Sequence, residues 1–122
     1  MSMAEGHRGR DAAEAWDASR AAVRLILGAE PPITPGVKRG GRRSDRAAAW
    51  RRQVAIYTAA VGLNAGVKPL IQHVGVSRYT VRKILIDLED RRDVQAIDLL
   101  LELVRAEAER QLARKMRQGV VA

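Results

Sequence analysis

The side chains best suited to recognition chemistry stand together in the middle of the chain, at Ser77-Arg78-Tyr79-Thr80-Val81-Arg82-Lys83. Cations, aliphatic hydroxyls and a phenol so close together supply donors for phosphate oxygens and for the acceptor-rich edges of bases. Nothing beside them looks catalytic. His7 and His73 are the only histidines, and neither has a catalytic companion nearby. Asp87, Glu89 and Asp90 stand beside Lys83, Arg91 and Arg92, a pattern of surface ion pairing rather than of a raised-pKa acid. The stretch 36–44 approximates the phosphate-loop spacing Gly-x4-Gly-Lys-Ser/Thr. Arg42 takes the lysine's place, however, Arg43 is extra, and no strand precedes the loop, so no nucleotide or other cofactor is expected. The chain has no cysteine, which excludes disulfides and cysteine-ligated zinc. The expected chemistry is binding, not catalysis.

Those side chains need a helix that presents them on one side, and the flanking residues provide it. Pro69 suits the first turn of a short helix, on which Leu70, Ile71 and Val74 share a face. Gly75 ends that helix, because glycine takes the left-handed conformation without a Cβ clash. Ser77 caps the next one, and Val81, Ile84, Leu85 and Leu88 follow as a single buried stripe. Arg78, Tyr79, Thr80, Arg82 and Lys83 are then left outward near the amino-terminal end of the second helix. That is the helix-turn-helix arrangement, in which this end enters the major groove. Two amphipathic helices around a glycine also occur in proteins that bind nothing, but a merely solvated face mixes Glu with Lys, and this one is basic, hydroxylic and aromatic.

The charge balance agrees. The 122 residues carry a formal net charge of +8 and a pI near 11.0, which favours a polyanionic partner. Double-stranded DNA is the first candidate. The start of the chain has no apolar leader, and the longest aliphatic cluster, Leu99-Leu100-Leu101 with Leu103-Val104, is far too short for a bilayer span. A cytoplasmic, nucleoid location and no membrane partner are therefore expected. Phenylalanine is absent, so the core must be aliphatic, with Trp16, Trp50, Tyr57 and Tyr79 as its few aromatic positions or exceptions.

Four regions are expected along the chain: a tail and amphipathic helix at 1–27, a basic Pro/Gly linker at 28–44, a helix-turn-helix domain at 45–93 and a terminal helix at 94–122. Residues 1–10 show no periodicity and are expected to be disordered. From an Asp11 cap, Ala12, Ala15, Trp16, Ser19, Ala22, Val23 and Ile26 form one stripe that Gly28 ends. The linker holds three prolines and four glycines. Ser44 or Asp45 should cap the next helix, which runs to about Val61 with Ala47, Trp50, Val54, Tyr57 and Val61 inward. From Lys38 to Arg52 there are seven basic residues against Asp45 alone, a stretch suited to phosphates or a minor groove. Asp87 and Arg91 are spaced for an i,i+4 pair. The last helix, from about Asp93 to Met116, carries Val94, Ile97, Leu101, Val104 and Ala108, widened by Leu100 and Leu103. Such a stripe fits either the domain's own core or a homodimer seam shared with residues 11–27.

Arg52-Gln53-Val54-Ala55-Ile56-Tyr57, the Val74-Gly75 turn and Thr80-Val81 together resemble the carboxy-terminal DNA-binding domain of the bacterial replication initiator DnaA, over about residues 45–93. Stand-alone DnaA-like proteins look similar too, continuing into Glu-Asp-Arg-Arg-Asp as here at 89–93. The resemblance implies an all-α fold with a Trp-repressor/DnaA-like helix-turn-helix core and amphipathic helices at both ends. It also implies that Arg52 meets phosphate or minor groove, that Arg78 and Thr80 approach bases or backbone, and that Arg82 or Lys83 support them. The chain departs from the family pattern at Val76, Ser77 and Tyr79, and no counterpart of the initiator's ATP-driven assembly domain is expected within these 122 residues.

The expected DNA-binding residues are thus Arg78, Tyr79, Thr80, Arg82, Lys83 and Ser77, with Arg52, Arg51, Lys68, Arg42 and Arg43. The expected role is sequence-specific DNA binding by a non-enzymatic bacterial transcriptional regulator. The alternatives are an interaction adaptor using the 93–116 helix, or a sequence-neutral nucleoid binder.

Overall fold

The computed structural model describes residues 11–31 and 43–121, and the side-chain surroundings of 11–31 and 46–117. The tail 1–10 and most of the expected linker, Arg42 included, lie outside the described residues. The fold is all-α. Among the described residues there are five helices and no strand: α1 (Ala12–Leu27), α2 (Arg43–Tyr57), α3 (Val67–Val74), α4 (Arg78–Arg91) and α5 (Gln95–Val121).

Local chemistry sets several of the boundaries. Asp11 accepts the Glu14 N–H at 3.0 Å and caps α1, and Gly28 closes the helix in the left-handed conformation at φ 89°. The end of α2 is less regular. The helix widens into a π turn over Thr58–Gly62, where the Leu63 N–H reaches the Thr58 carbonyl at 2.8 Å. This turn lies under α5, and a Cβ on Gly62 would sit 3.0 Å from Cγ of Arg105.

One hydrophobic cluster draws on every helix, with Trp16 and Val23 from α1, Val54 and Ile56 from α2, Leu70 and Val74 from α3, Val81 and Leu88 from α4, and Leu101, Val104 and Leu112 from α5. Its main seam joins α1 to α5. Ala12, Ala15, Ala18 and Ala22 keep the α1 face low, so the two helices approach closely. The α1 stripe and the inward stripe of α5 are therefore spent within a single chain, not held free for a second subunit.

Four expectations are corrected here. Ser44 and Asp45 lie inside the first turn of α2, which begins at Arg43, so neither is the cap. Ala47 is exposed because it precedes the part of α2 that is packed, and Trp50 is only half-buried. Val61 is 42% exposed, since the extra residue of the π turn rotates it out of register and brings Leu63 into the core instead. Val94 is also exposed: it belongs to the α4–α5 corner, its carbonyl taking the Ile97 and Asp98 N–H groups before α5 begins at Gln95.

That corner is held by charge. Arg92 donates through Nε to Asp98 at 2.5 Å, through Nη2 to Glu102 at 2.5 Å and through Nη1 to the Tyr57 hydroxyl at 3.2 Å. The Tyr57 hydroxyl in turn donates to Glu89. Burial, followed by that bond to Glu89, pushes the Tyr57 phenol upward, while hydrogen bonds from Arg92 and Arg105 hold Glu102 below the ordinary 4.5. Glu107 is buried on α5, and desolvation alone would raise it. The Arg110 and Gln111 hydrogen bonds at 2.9 and 2.8 Å outweigh that and leave it below 4.5. Both carboxylates therefore ionise more readily in the fold than in the unfolded chain. Their contribution to stability is complete above about pH 4.5 and is lost as pH falls through their lower folded values. Thermal unfolding followed by circular dichroism should show a midpoint that drops below this pH, and Glu107→Gln should flatten part of the drop.

Candidate nucleic-acid interface

α3 and α4 meet around Gly75, whose φ of 75° lets the chain reverse in the three residues between them. Ser77 is extended at φ −71° and ψ 161°, and its Oγ accepts the Thr80 N–H at 3.1 Å. The same hydroxyl donates to Thr80 Oγ1 at 3.1 Å. Ser77 and Thr80 thus lock the first turn of α4 to itself, and Ser77's hydroxyl is already committed there rather than offered outward. Thr80 is half-buried. Val81, Ile84 and Leu88 anchor α4 in the core and fix its rotation, which leaves Arg78, Tyr79, Arg82 and Lys83 exposed on the first two turns.

The electrostatics of α4 divide along its length. Arg78, Arg82 and Lys83 occupy the amino-terminal half, and Asp87, Glu89 and Asp90 follow in the other half. None of these three cations pairs with a carboxylate among the described residues. The same is true of Arg46, Arg51 and Arg52 on α2 and of Lys68 in the first turn of α3. Elsewhere the cations are engaged: Arg20 with Asp17 and Glu30, Arg92 with Asp98 and Glu102, Arg105 with Glu102, Arg110 with Glu107, and Lys115 with Asp17 at 3.9 Å. Arg114 lends charge to Glu107, and Arg24 and Arg117 are further cations without an ion pair among the described residues.

The predicted residues fall into two places, not one. Arg78, Tyr79, Thr80, Arg82 and Lys83 gather on α4. Arg51 and Arg52 are half-buried on α2, and their neighbour Trp50 lies beneath Arg91, with 5.8 Å from the guanidinium carbon to the ring centre. This part of α2 therefore runs beside the carboxy-terminal end of α4, about 20 Å along the helix from Arg78 at 1.5 Å per residue. The Nε atoms of Arg51 and Arg52 are buried and have no hydrogen-bond acceptor among the described residues. Arg43 opens α2, but its side chain lies outside the described residues, as does Arg42 altogether.

Sequence reasoning missed the Trp50–Arg91 stack, the Arg92 junction and Ile86. The expected Asp87–Arg91 pair is not formed, because Arg91 is drawn to Trp50. Ile86 is 62% exposed on the outward side of α4, seven residues after Tyr79. Its helical phase placed it there, but the run Ile84-Leu85-Ile86 reads as uniformly apolar until the helix is seen packed.

No protein-family model matches the chain, and no curated protein and no solved structure matches it.

The cap is the part of this site most open to a direct check. Ser77→Ala should cost about 1 kcal/mol of stability in chemical denaturation, because the Thr80 N–H loses its acceptor, and Ser77→Asp should restore most of it.

Proposed function

We propose that this protein binds double-stranded DNA sequence-specifically, as a non-enzymatic bacterial transcriptional regulator, by inserting the first two turns of α4 in the major groove. The observation that carries the proposal is the sorting of its cations. Arginines that hold the fold face carboxylates, whereas Arg78, Arg82 and Lys83 project from a capped helix and pair with no carboxylate among the described residues. Phosphates are the polyanion whose spacing and groove dimensions suit a basic helix face. The resemblance of residues 45–93 to the DnaA DNA-binding domain points the same way. Arg51 and Arg52, near the other end of α4, and Lys68 on α3 would then hold backbone phosphates. In this reading Tyr79 and Thr80 help choose bases.

Selection from a random duplex pool by the purified protein, near physiological salt, should enrich one motif. The Thr80→Ala, Arg82→Ala variant should bind that motif about tenfold or more weakly while remaining folded. Binding to all duplexes with a steep salt slope and no motif would instead identify a sequence-neutral nucleoid binder, and no duplex binding would leave the adaptor.

A homodimer remains part of the proposal in a narrower form. With most of the α1 stripe and the inward stripe of α5 already buried, an apolar surface left to a second copy is the opposite face of α5, where Ala96, Leu99 and Leu103 are exposed and Ala106 is half-exposed. Their spacing of three, four and three residues reads the same in both directions. An antiparallel copy would therefore meet it side chain for side chain, Ala96 against Ala106 and Leu99 against Leu103. Light scattering at micromolar concentration should give the mass of two chains for the wild type and of one for Leu103→Glu. A monomeric wild type would remove the dimer and leave the DNA proposal standing.

A further inference from the structure

We infer that Tyr79 and Ile86 read the methyl groups of two thymines on the floor of the major groove, so that the target site is defined partly by thymine and not by hydrogen bonding alone. This rests on the DNA-binding reading of α4. At 100° per residue, Tyr79, Lys83, Ile86 and Asp90 form one line down the outward side of the helix, opposite Val81, Ile84 and Leu88. Tyr79 is 76% exposed and Ile86 is 62% exposed, so neither contributes much to the core. Isoleucine is also a poorer helix former than the polar residues that normally occupy a solvated face. The fold therefore gives no reason for its place there.

The occupant that fits this line must be anionic at its edges and apolar at points between them. Arg82 and Lys83 flank the gap between the two apolar side chains, and a protein surface matching them would have to alternate carboxylates with apolar knobs at the same spacing. The major groove has that composition already: phosphates form its rims, and thymine projects a C5 methyl group into it. From Tyr79 to Ile86 the rise is about 10 Å, the length of roughly three base steps. One turn beyond Ile86 stands Asp90, whose carboxylate would repel phosphate, so the line that DNA covers ends at Ile86.

The test replaces thymine by uracil, which keeps every hydrogen-bonding edge and removes only the methyl group. The probe is the duplex enriched from the random pool, substituted one position at a time. Two thymines about three base pairs apart should each lose roughly fourfold in affinity. Ile86→Ala should be insensitive to one substitution and Tyr79→Ala to the other. Both variants should unfold at the wild-type temperature, since both side chains are exposed. A duplex bound specifically and equally well with uracil at every thymine would overturn the inference while leaving the proposed function intact. Uracil effects that neither variant relieves would overturn it too. Failure to enrich any motif would overturn both together.

Discussion

The architecture depends on one guanidinium at the corner between α4 and α5. Arg92 reaches Tyr57 on α2, and Asp98 and Glu102 on α5, while its own position fixes where α4 stops. Its guanidinium carbon also lies 6.0 Å from the Tyr57 ring centre, so the aromatic ring is held by charge as well as by packing. The Tyr57, Glu102 and Asp98 hydrogen bonds hold Arg92 charged well beyond its ordinary range, so acid weakens the junction through its carboxylates and not through the guanidinium. A core without phenylalanine offers few large interlocking shapes. In such a core, a directional polar junction specifies the angle between two helices that aliphatic contacts leave loosely determined.

From that junction the two long surfaces of the molecule take separate tasks. α1 and the inner side of α5 close over the core through alanine and leucine, and Lys115 reaches Asp17 across the same seam. The α3–α4 unit is held from beneath by Leu70, Val74, Val81, Ile84 and Leu88, all of which are buried. Its outer side is thereby relieved of any structural duty. Unpaired cations are tolerable there because they are solvated, and they would become costly only if buried without an anion.

What could be read from the sequence was local. The Asp11 cap, the Gly28 stop, the left-handed Gly75, the Ser77 cap and the outward Arg78, Tyr79, Arg82 and Lys83 each depend on neighbours within a few residues, and each was found where expected, whereas Thr80 is half-buried. The misplaced residues all depended on distant contacts. Val61 turned outward because α5 packs close at Gly62 and the helix widens there. Val94 became a corner residue because Arg92 engages Asp98 and Glu102. The broad apolar character of α5 was visible, but only the packed chain shows that one face is buried while Leu99 and Leu103 face away from it. Tyr57 and Arg92 stand 35 residues apart, beyond the reach of any periodicity.

The division of charge along α4 has a consequence for the helix itself. Aligned peptide dipoles place partial positive charge at a helix's amino terminus and negative charge at its carboxy terminus. α4 sets Arg78, Arg82 and Lys83 toward the first end and Asp87, Glu89 and Asp90 toward the second, each group on the side where its sign is disfavoured, with Arg91 in the last turn as the exception. The helix is thus wound against its own macrodipole. Its shape comes from the Ser77 cap, the buried stripe and the anchoring of Arg91 and Arg92, not from its intrinsic preference. A peptide of the same sequence cut free of the domain would be largely unwound. Phosphates placed at its amino-terminal end would supply the compensating charge that its own residues withhold.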